Sequence, residues 1–246
     1  MLNLRTLVQK LVPVHYRRTL KDRLGMPRWL HDNYALLRRI GPFEDAHVVL
    51  DIGACNGWFT ECWLEYCPGA VVHCFEPSAE TYARTLSRRL GGRSGVTLNN
   101  VGVGDAAGTA TLHTGASYAS NSFYDLKPSN ELGLELGNTE QVPVIRLADY
   151  LQQHGIGPIR LVKIDVQGHE LPVLHGFGDR LAAVDYLYIE VSIHPLYEQP
   201  ATLCGVLDYL RERGFLVMDL KPNSLDGRYV QEADVLFVRE SLLIPE

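Results

Sequence analysis

From residue 47 onwards, short apolar runs rich in β-branched residues alternate with segments whose apolar residues recur every three or four positions. The first pattern is typical of buried strands and the second of helices that pack one face against a core. The predicted strands are residues 47–51, 71–75, 96–99, 109–113, 142–145, 160–166, 185–192, 215–220 and 234–238. The predicted helices are residues 56–66, 78–90, 147–154, 170–175 and 202–213. The alternation predicts an α/β domain assembled from βαβ units.

The composition favours one folded domain with a sizeable core. The chain has 246 residues, of which 46% are hydrophobic and 21% are charged. No run approaches the roughly 18 apolar residues of a transmembrane helix. The five cysteines are an odd number and show no Cys-x-x-Cys spacing. We therefore expect a reduced, cytoplasmic protein and not a disulfide scaffold.

Charge is distributed unevenly along the chain. The net charge is −6, but residues 1–39 hold nine Lys and Arg against two Asp, or +7, which leaves −13 for the rest. We therefore divide the chain into a basic helical N-terminal arm, residues 1–44, and a main domain, residues 45–246. The arm can contact phosphates, an anionic lipid surface or a partner's acidic face, or fold back on its own acidic domain. The acidic domain argues against nucleic acid as a partner.

The turn after the first strand has the residues of a ligand site. Asp51 ends the strand, and Gly53 and Gly57 precede the next helix. Ligands of open α/β sheets bind beyond the carboxyl ends of the strands. A dinucleotide site needs a G-x-G-x-x-G turn for its pyrophosphate, and Asp51 stands where the first glycine would fall. A carboxylate there is a poor neighbour for a pyrophosphate but a good one for a cationic ligand.

A second acidic residue, Glu76, follows the next strand. A carboxylate in this place can accept hydrogen bonds from both ribose hydroxyls. Together with Asp51, it points to a ligand that has a ribose and an ammonium group but no phosphates, as S-adenosylmethionine does. Acids at strand ends also serve as helix caps. A nicotinamide (NAD)-dependent oxidoreductase and a non-catalytic cofactor-binding protein therefore stay as alternatives.

These residues resemble the FkbM-type family of S-adenosylmethionine-dependent methyltransferases. The resemblance continues through residues 100–105, 163–170, 189–192 and 231–238, and Lys-Ile-Asp-Val-x-Gly-x-Glu at 163–170 is its most specific part. It implies a Rossmann-like class I methyltransferase fold, with a seven-stranded, mostly parallel sheet whose last strand is antiparallel. It also implies methyl transfer to a hydroxyl oxygen of a sugar, glycan or natural product.

The resemblance also assigns residues to the cofactor. By position, the implied contacts are Asp51, Gly53, Asn56, Gly57, Glu76, Pro77, Asn100 and Val101. Two positions depart from the family pattern. Gln167 stands where the family commonly has Glu, and Cys55 stands where Ala is frequent. The first departure puts any role of a carboxylate at that position in doubt.

Methyl transfer to a hydroxyl requires removal of its proton, and candidate groups lie at the ends of the central strands. Asp165 lies at the end of one predicted strand and Glu190 near the end of another, so they face a common cleft if those strands are neighbours. Such a pair could bind Mg²⁺ and orient the acceptor, or share a proton with one carboxylate acting as the base. Lys163 lies on the same face and could hold Asp165 ionised. The alternative is a structural ion pair of Lys163, Asp165 and Glu170.

Two histidines and one loop complete the candidates. His194, just past a strand end, is a candidate general base, whereas His169 is more typical of a solvated or capping residue. The loosely patterned residues 105–145 contain side chains that suit a lid over sugar and cofactor, or an ordinary polar surface loop. These side chains are Ser117, Tyr118, Asn121, Ser122, Phe123 and Tyr124.

Overall fold

The computed structural model describes residues 34–115, 120–127, 136–194, 197–198, 200–223 and 229–243. The chain divides into two units, Met1–Gly41 and Pro42–Glu246. In the first unit, the described residues form a short 3₁₀ helix, Ala35–Arg39. Most of the predicted basic arm, residues 1–33, lies outside the described residues.

The second unit alternates strands and helices in the predicted order. Its strands are β1 (His47–Ile52), β2 (Ala70–Phe75), β3 (Val96–Asn99), β4 (Gly102–Gly104), β5 (Gly108–Gly115), β6 (Leu136–Arg146), β7 (Ile159–Ile164), β8 (Val184–Ser192), β9 (Phe215–Asn223) and β10 (Glu232–Arg239). Its helices are α1 (Trp58–Tyr66), α2 (Ala79–Thr81, continued by a π-helical Tyr82–Leu86 and by Ser87–Leu90), α3 (Leu147–Gln153), α4 (Glu170–Gly176) and α5 (Leu203–Arg211). Short 3₁₀ segments follow at Gly178–Ala183 and Glu240–Leu242. Among the described residues, no helix is long and apolar enough to cross a membrane.

Seven strands form the main sheet, in the order β3-β2-β1-β7-β8-β10-β9. The first five are parallel to one another, and β10 is antiparallel to both of its neighbours. This confirms the predicted seven-stranded sheet with an antiparallel last strand. The chain leaves β1 towards β2 on one side, and β7 lies on the other side. The carboxyl ends of β1 and β7 therefore flank the topological switch point, where open α/β sheets bind ligands.

A second, three-stranded sheet corrects the prediction of a loose segment between residues 105 and 145. Its order is β4-β6-β5, with β4 parallel and β5 antiparallel to β6. The pattern predicted only the middle of β5 and the end of β6. The three residues of β4, Gly-Val-Gly, are too short and too glycine-rich to show a strand pattern. They become a strand because β6 supplies their hydrogen-bond partners.

The central strands are buried on both faces, which makes the ends of β1, β7 and β8 a rigid platform. The core contains side chains of these strands and of the helices α3, α4 and α5. Members that are at most 1% exposed include Leu50, Val162, Ile164, Leu187, Ile189, Leu147, Leu151, Val173, Leu174, Val206 and Leu210. Such close-packed interiors yield little to local displacement. The side chains at the strand ends are therefore held in fixed register.

Gly53, in the turn after β1, lies directly against the end of β7. Its φ is +74°, and its N–H donates to the Phe75 carbonyl oxygen at 3.0 Å. A Cβ atom at this position would lie 1.8 Å from the Asp165 carbonyl oxygen. Glycine is therefore required twice, once by the backbone conformation and once by the approach of a second backbone.

Gly53→Ala should strongly destabilise the protein, because neither backbone can move without disturbing the central sheet. We expect a loss of about 3 kcal/mol or more of unfolding free energy, of which about 1 kcal/mol comes from the positive φ. Gly92→Ala is the matched control, since its φ is +76° and no described atom lies within 4 Å of the added Cβ. Urea unfolding of both variants measures the difference. Equal losses would contradict a steric requirement at Gly53.

Candidate active site

Asp51 lies beneath the turn after β1 and not at its surface. Its side chain is fully buried, and its Oδ2 accepts a hydrogen bond from Thr60 Oγ1 at 2.7 Å. Burial raises the pKa of Asp51, and the nearby Lys163 ammonium opposes this shift. Among the described residues, no hydrogen-bond donor reaches Asp51 Oδ1. This buried, unsatisfied oxygen is where an additional donor would be stabilised.

Lys163 links the end of β1 to the end of β7. The sheet register pairs it with Asp51, and its Nζ lies 3.7 Å from Asp51 Oδ1 and 3.3 Å from Asp165 Oδ2. The same Nζ donates to the Gly53 carbonyl oxygen at 2.7 Å. Lys163 therefore pairs with Asp51 and Asp165. The alternative of an ion pair of Lys163, Asp165 and Glu170 is wrong in including Glu170.

Glu76 has both carboxylate oxygens held by backbone N–H groups. They accept from Cys55 at 2.9 Å and from Ser78 at 3.0 Å. Burial raises the pKa of Glu76 to about 7. The side chain of Asn100 donates to the carbonyl oxygens of Glu76 and Pro77, and so fixes the loop that follows β2. Each held oxygen keeps a lone pair with which to accept a ligand hydroxyl.

Gly57 and Asn56 have structural explanations. Gly57 has a φ of +76°, which favours glycine, and a Cβ there would lie 2.7 Å from Leu90 Cδ1, so the Leu90 side chain would have to shift where α1 packs on α2. Asn56 is exposed, and its Oδ1 accepts from the Trp58 N–H at the start of α1. Their predicted contacts with a cofactor stay predictions, as does that of the half-buried Val101.

The predicted carboxylate pair is brought together, because β7 and β8 are neighbours. Gln167 Nε2 donates to Asp165 Oδ1 at 3.1 Å and to Glu190 Oε1 at 3.0 Å. The Asp165 charge, followed by burial, raises the pKa of Glu190 well above its usual range. The side chain of Asp165 stays 37% exposed. Asp165 therefore reaches solvent beside the β1 turn, while the raised pKa of Glu190 favours its protonated form.

Sequence reasoning missed three further groups around this pair. The antiparallel register places Asp234 beside Glu190 and Glu232 beside Ser192. Burial and then the Asp165 charge raise the pKa of Glu232 to about 7. The buried Tyr197 hydroxyl lies 3.1 Å from Gln167 Oε1 and 3.2 Å from the Ser120 carbonyl oxygen. Glu232 and Asp234 lie within residues 231–238 of the family resemblance, but only the sheet order shows that their strand, β10, lies beside β8.

The geometry does not support the predicted Mg²⁺ site at Asp165 and Glu190. The Gln167 amide lies between the two carboxylates, and Lys163 is 3.3 Å from the other oxygen of Asp165. A Mg²⁺ ion with oxygen ligands at about 2.1 Å would have to displace these donors. Within the described ranges, no group of three or more His, Cys, Asp or Glu is arranged to hold a metal ion.

The two histidines lie at the expected positions, His169 as the N-cap residue of α4 and His194 just past the end of β8. His169 is not solvated: its Nδ1 lies 3.2 Å from the Tyr124 hydroxyl, and its ring centroid is 4.9 Å from that of Phe123. Burial lowers the pKa of His169 to about 4, so the ring is neutral at pH 7. His194 is exposed, and its ring packs edge-on against Tyr229 at 5.1 Å. In the described structure, the ring of His194 does not join the hydrogen bonds of the carboxylate pair.

The candidate lid is described over residues 120–127, and this part is anchored to neighbouring segments. Ser122 is 1% exposed and exchanges two backbone hydrogen bonds with His113. Ser122 Oγ donates to the Gln167 carbonyl oxygen at 2.7 Å and accepts from the Tyr124 N–H. This segment therefore supports the turn after β7. Ser117 and Tyr118 lie outside the described residues.

Glu170 is a buried acid at the start of α4. Its Oε1 accepts from the Gly168 N–H at 2.9 Å, whereas no described donor reaches its Oε2. Burial raises the pKa of Glu170 to about 8. The carboxyl is therefore largely protonated at pH 7 and braces the turn that holds Gln167.

The chain is similar to known proteins in sequence and in fold. Residues 51–217 match the family model of the methyltransferase FkbM domain. The 2-O-methyltransferase NoeI of Sinorhizobium fredii is 30% identical over 172 residues, or 66% of this chain and 70% of that protein. The 31-O-demethyl-FK506 methyltransferase FkbM of Streptomyces tacrolimicus is 31% identical over 195 residues, or 70% and 73%. The crystal structure of methyltransferase FkbM from Methylobacillus flagellatus KT has a TM-score of 0.55 at 18% identity, and covers 95% of this chain but 57% of that one. This last similarity supports the fold.

Glu170→Gln should remove a pH-dependent loss of stability. The folded chain keeps the carboxyl proton up to about pH 8, whereas the unfolded chain releases it near 4.5. The folded state binds more protons in this interval, so the native protein loses stability as the pH rises through it. The neutral amide has no such proton to lose. We expect the stability of the variant relative to the native protein to be greater at pH 8 than at pH 5 by about 2 kcal/mol or more.

Urea unfolding at the two pH values tests this expectation. Glu44→Gln is the control, because the Glu44 side chain is exposed. If Glu170→Gln and the control differ from the native protein by the same amount at both pH values, Glu170 is not protonated in the folded state.

Proposed function

Because this chain belongs to the FkbM methyltransferase family, we propose that it transfers a methyl group from S-adenosylmethionine to a hydroxyl oxygen of a sugar, glycan or natural product. The chain is a methyltransferase, and the alternative of a nicotinamide-dependent oxidoreductase is set aside. The names of two relatives specify oxygen as the methyl acceptor, at a 2-O and a 31-O position. The observation that carries the proposal is Asp165, a partly exposed carboxylate held beside the β1 turn by Lys163.

The residues of the β1 and β2 ends fit S-adenosylmethionine. Glu76 offers two oriented carboxylate oxygens, which suit the paired hydroxyls of a ribose. Asp51 lies buried beneath the same turn, where its Oδ1 is 3.7 Å from Lys163 Nζ, so it supports the turn that would hold the ligand. Gly53 keeps the turn close to β7. When bound there, S-adenosylmethionine supplies an electrophilic methyl group.

Asp165 is proposed as the general base for the acceptor. The hydroxyl proton passes to the Asp165 carboxylate as the acceptor oxygen forms its bond to the methyl carbon, and the carbon–sulfur bond breaks to leave S-adenosylhomocysteine. Lys163, 3.3 Å away, stabilises the negative charge that Asp165 needs for this step. The raised pKa of Glu190 disfavours a second negative charge beside the base. His194 is not assigned this role, because its ring lies against Tyr229.

Three further assignments complete the proposal. Residues 45–246 are the methyltransferase domain, and the basic residues 1–44 are a peripheral contact for phosphates, lipid or an acidic protein face. The location is cytoplasmic, supported by five cysteines that are all free and that a reducing compartment would preserve. The acceptor is a small molecule or glycan.

Glu76 should make cofactor binding depend on pH. Hydroxyl donors favour its ionised form, and its pKa in the free protein is about 7, so binding at pH 6 must first remove a proton. We expect the Kd of S-adenosylhomocysteine to be about tenfold weaker at pH 6 than at pH 8. Glu76→Gln should bind more weakly, with little dependence on pH. The control is the exposed Glu80→Gln, and calorimetric titration is the measurement. Native affinity and pH dependence in Glu76→Gln would place the ribose elsewhere.

Asp165→Asn should abolish methyl transfer and leave cofactor binding intact. The amide is isosteric but cannot accept the proton, so we expect kcat to fall about 100-fold or more while the Kd of S-adenosylhomocysteine stays within about twofold. The acceptors to test with methyl-labelled cofactor are a panel of methyl glycosides and 31-O-demethyl-FK506. The exposed Asp149→Asn is the control.

Two outcomes would contradict this proposal. Turnover retained by Asp165→Asn would remove Asp165 as the base. Cofactor binding by the native protein without methylation of any hydroxyl in the panel would favour the non-catalytic alternative.

A further inference from the structure

The side chain of Gln167 lies between the carboxyl groups of Asp165 and Glu190 on one side and the buried Tyr197 on the other. Its Nε2 donates to one oxygen of Asp165 and one of Glu190, at 3.1 and 3.0 Å. Its Oε1 faces the Tyr197 hydroxyl at 3.1 Å, and Tyr197 is 1% exposed. The reverse orientation would turn the amide oxygen towards Asp165 Oδ1, so that two hydrogen-bond acceptors would face each other, whereas the Tyr197 hydroxyl can donate to Gln167 Oε1 or to the Ser120 carbonyl oxygen. The surroundings therefore select one orientation of the amide.

The backbone around Gln167 is held in a conformation that side chains rarely adopt. Its φ is +52°, in the left-handed region. Its carbonyl oxygen accepts from the buried Ser122, and the following N–H, that of Gly168, donates to the buried Glu170. Strain of this kind persists only where the surrounding contacts over-determine the conformation, and such positions concentrate at functional sites. The turn after β7 is thus built to place the Gln167 amide between two carboxyl groups.

We propose that Gln167 is the positioning residue of the methyl-transfer site, whose amide fixes the separation of the Asp165 and Glu190 carboxyl groups and keeps Asp165 aligned with the acceptor hydroxyl. The proposal rests on the proposed function of Asp165. A glutamate, which the family commonly has at this position, could donate to one of the two acids at most and only when protonated, so the twofold donation by the amide distinguishes this chain from the family pattern. The titratable groups in contact with the Gln167 side chain are Asp165, Glu190 and Tyr197. The charges of Lys163, Glu232 and Asp234 act on Glu190.

Two isosteric variants test the amide. Gln167→Met keeps the volume of the side chain and removes both donors, whereas Gln167→Glu replaces them with a group that has one O–H donor when protonated and none when ionised. Gln152→Glu, on the exposed face of α3, is the control for added charge. Gln167→Gly is a second test of the missing donors if the other variants fold poorly, since glycine adopts a φ of +52° without strain.

The first readout needs no acceptor. Carbon-13 carboxyl NMR follows the titration of Asp165 and Glu190 in the full chain, with Asp165→Asn and Glu190→Gln to assign the signals. Loss of the N–H donors in Gln167→Met should raise both titration midpoints by about 0.5 to 1 pH unit, because those bonds favour the ionised carboxylates. The control should leave both midpoints within about 0.2 unit. Native midpoints in Gln167→Met, and in Gln167→Gly where the first variant is unstable, would overturn the proposal even if an acceptor is found.

The second readout is kcat against pH with an acceptor from the panel. Gln167→Met should lower kcat about tenfold or more, with the Kd of S-adenosylhomocysteine within about twofold of native. For Gln167→Glu, the ratio of variant to native kcat should fall as the pH rises from about 5 to about 8, because the introduced carboxyl loses its donor proton. A ratio that does not vary with pH indicates a merely structural residue and overturns the proposal. If no acceptor is methylated, the proposed function fails, and the NMR titration still decides the role of Gln167.

Discussion

The site depends on the ion pairs of the buried Lys163 ammonium group. This group lies between the turn after β1, where the cofactor is proposed to bind, and Asp165 at the end of β7, where the acceptor is proposed to lose its proton. A charge taken out of water is stable only with close partners of the opposite sign, and Asp51 and Asp165 supply them. The ion pairs that stabilise the buried Lys163 therefore also fix the distance between the turn after β1 and Asp165.

The carboxyl groups around Lys163 follow from this constraint. One ammonium cannot balance Asp51, Asp165, Glu190 and Glu232 in a half-buried space. The Asp165 charge and burial consequently raise the pKa of Glu190, and burial and the Asp165 charge raise that of Glu232 to about 7. Protonation of these acids reduces the negative charge that Lys163 does not compensate. Asp165 is the member that combines closeness to Lys163 with exposure to solvent. Electrostatics thus distinguishes acids that look equivalent along the chain.

The acids at the strand ends could be predicted from the sequence, because each lies beside an apolar run that marks a buried strand. Asp51 lies at the end of β1, and Glu76 and Asp165 directly follow β2 and β7. Parallel strands bring their carboxyl ends to one edge of the sheet. The β7–β8 adjacency, which the sequence left conditional, holds in the sheet. The surroundings of His169 were not readable, for the opposite reason. Nothing near His169 in the chain shows that Phe123 and Tyr124 cover it, because that contact joins segments about 45 residues apart.

By itself, the sequence determined the α/β class, most of the strands and helices, and the residue types at the ends of β1, β2 and β7, since strand periodicity and turn chemistry are local properties. Only the tertiary structure decided what each polar group does. It placed β10 beside β8, formed β4 from a glycine-rich triplet, and set the Gln167 amide between two acids. Hydrogen-bond partners and pKa values depend on burial and on neighbours from distant segments, and these come into existence only when the chain folds.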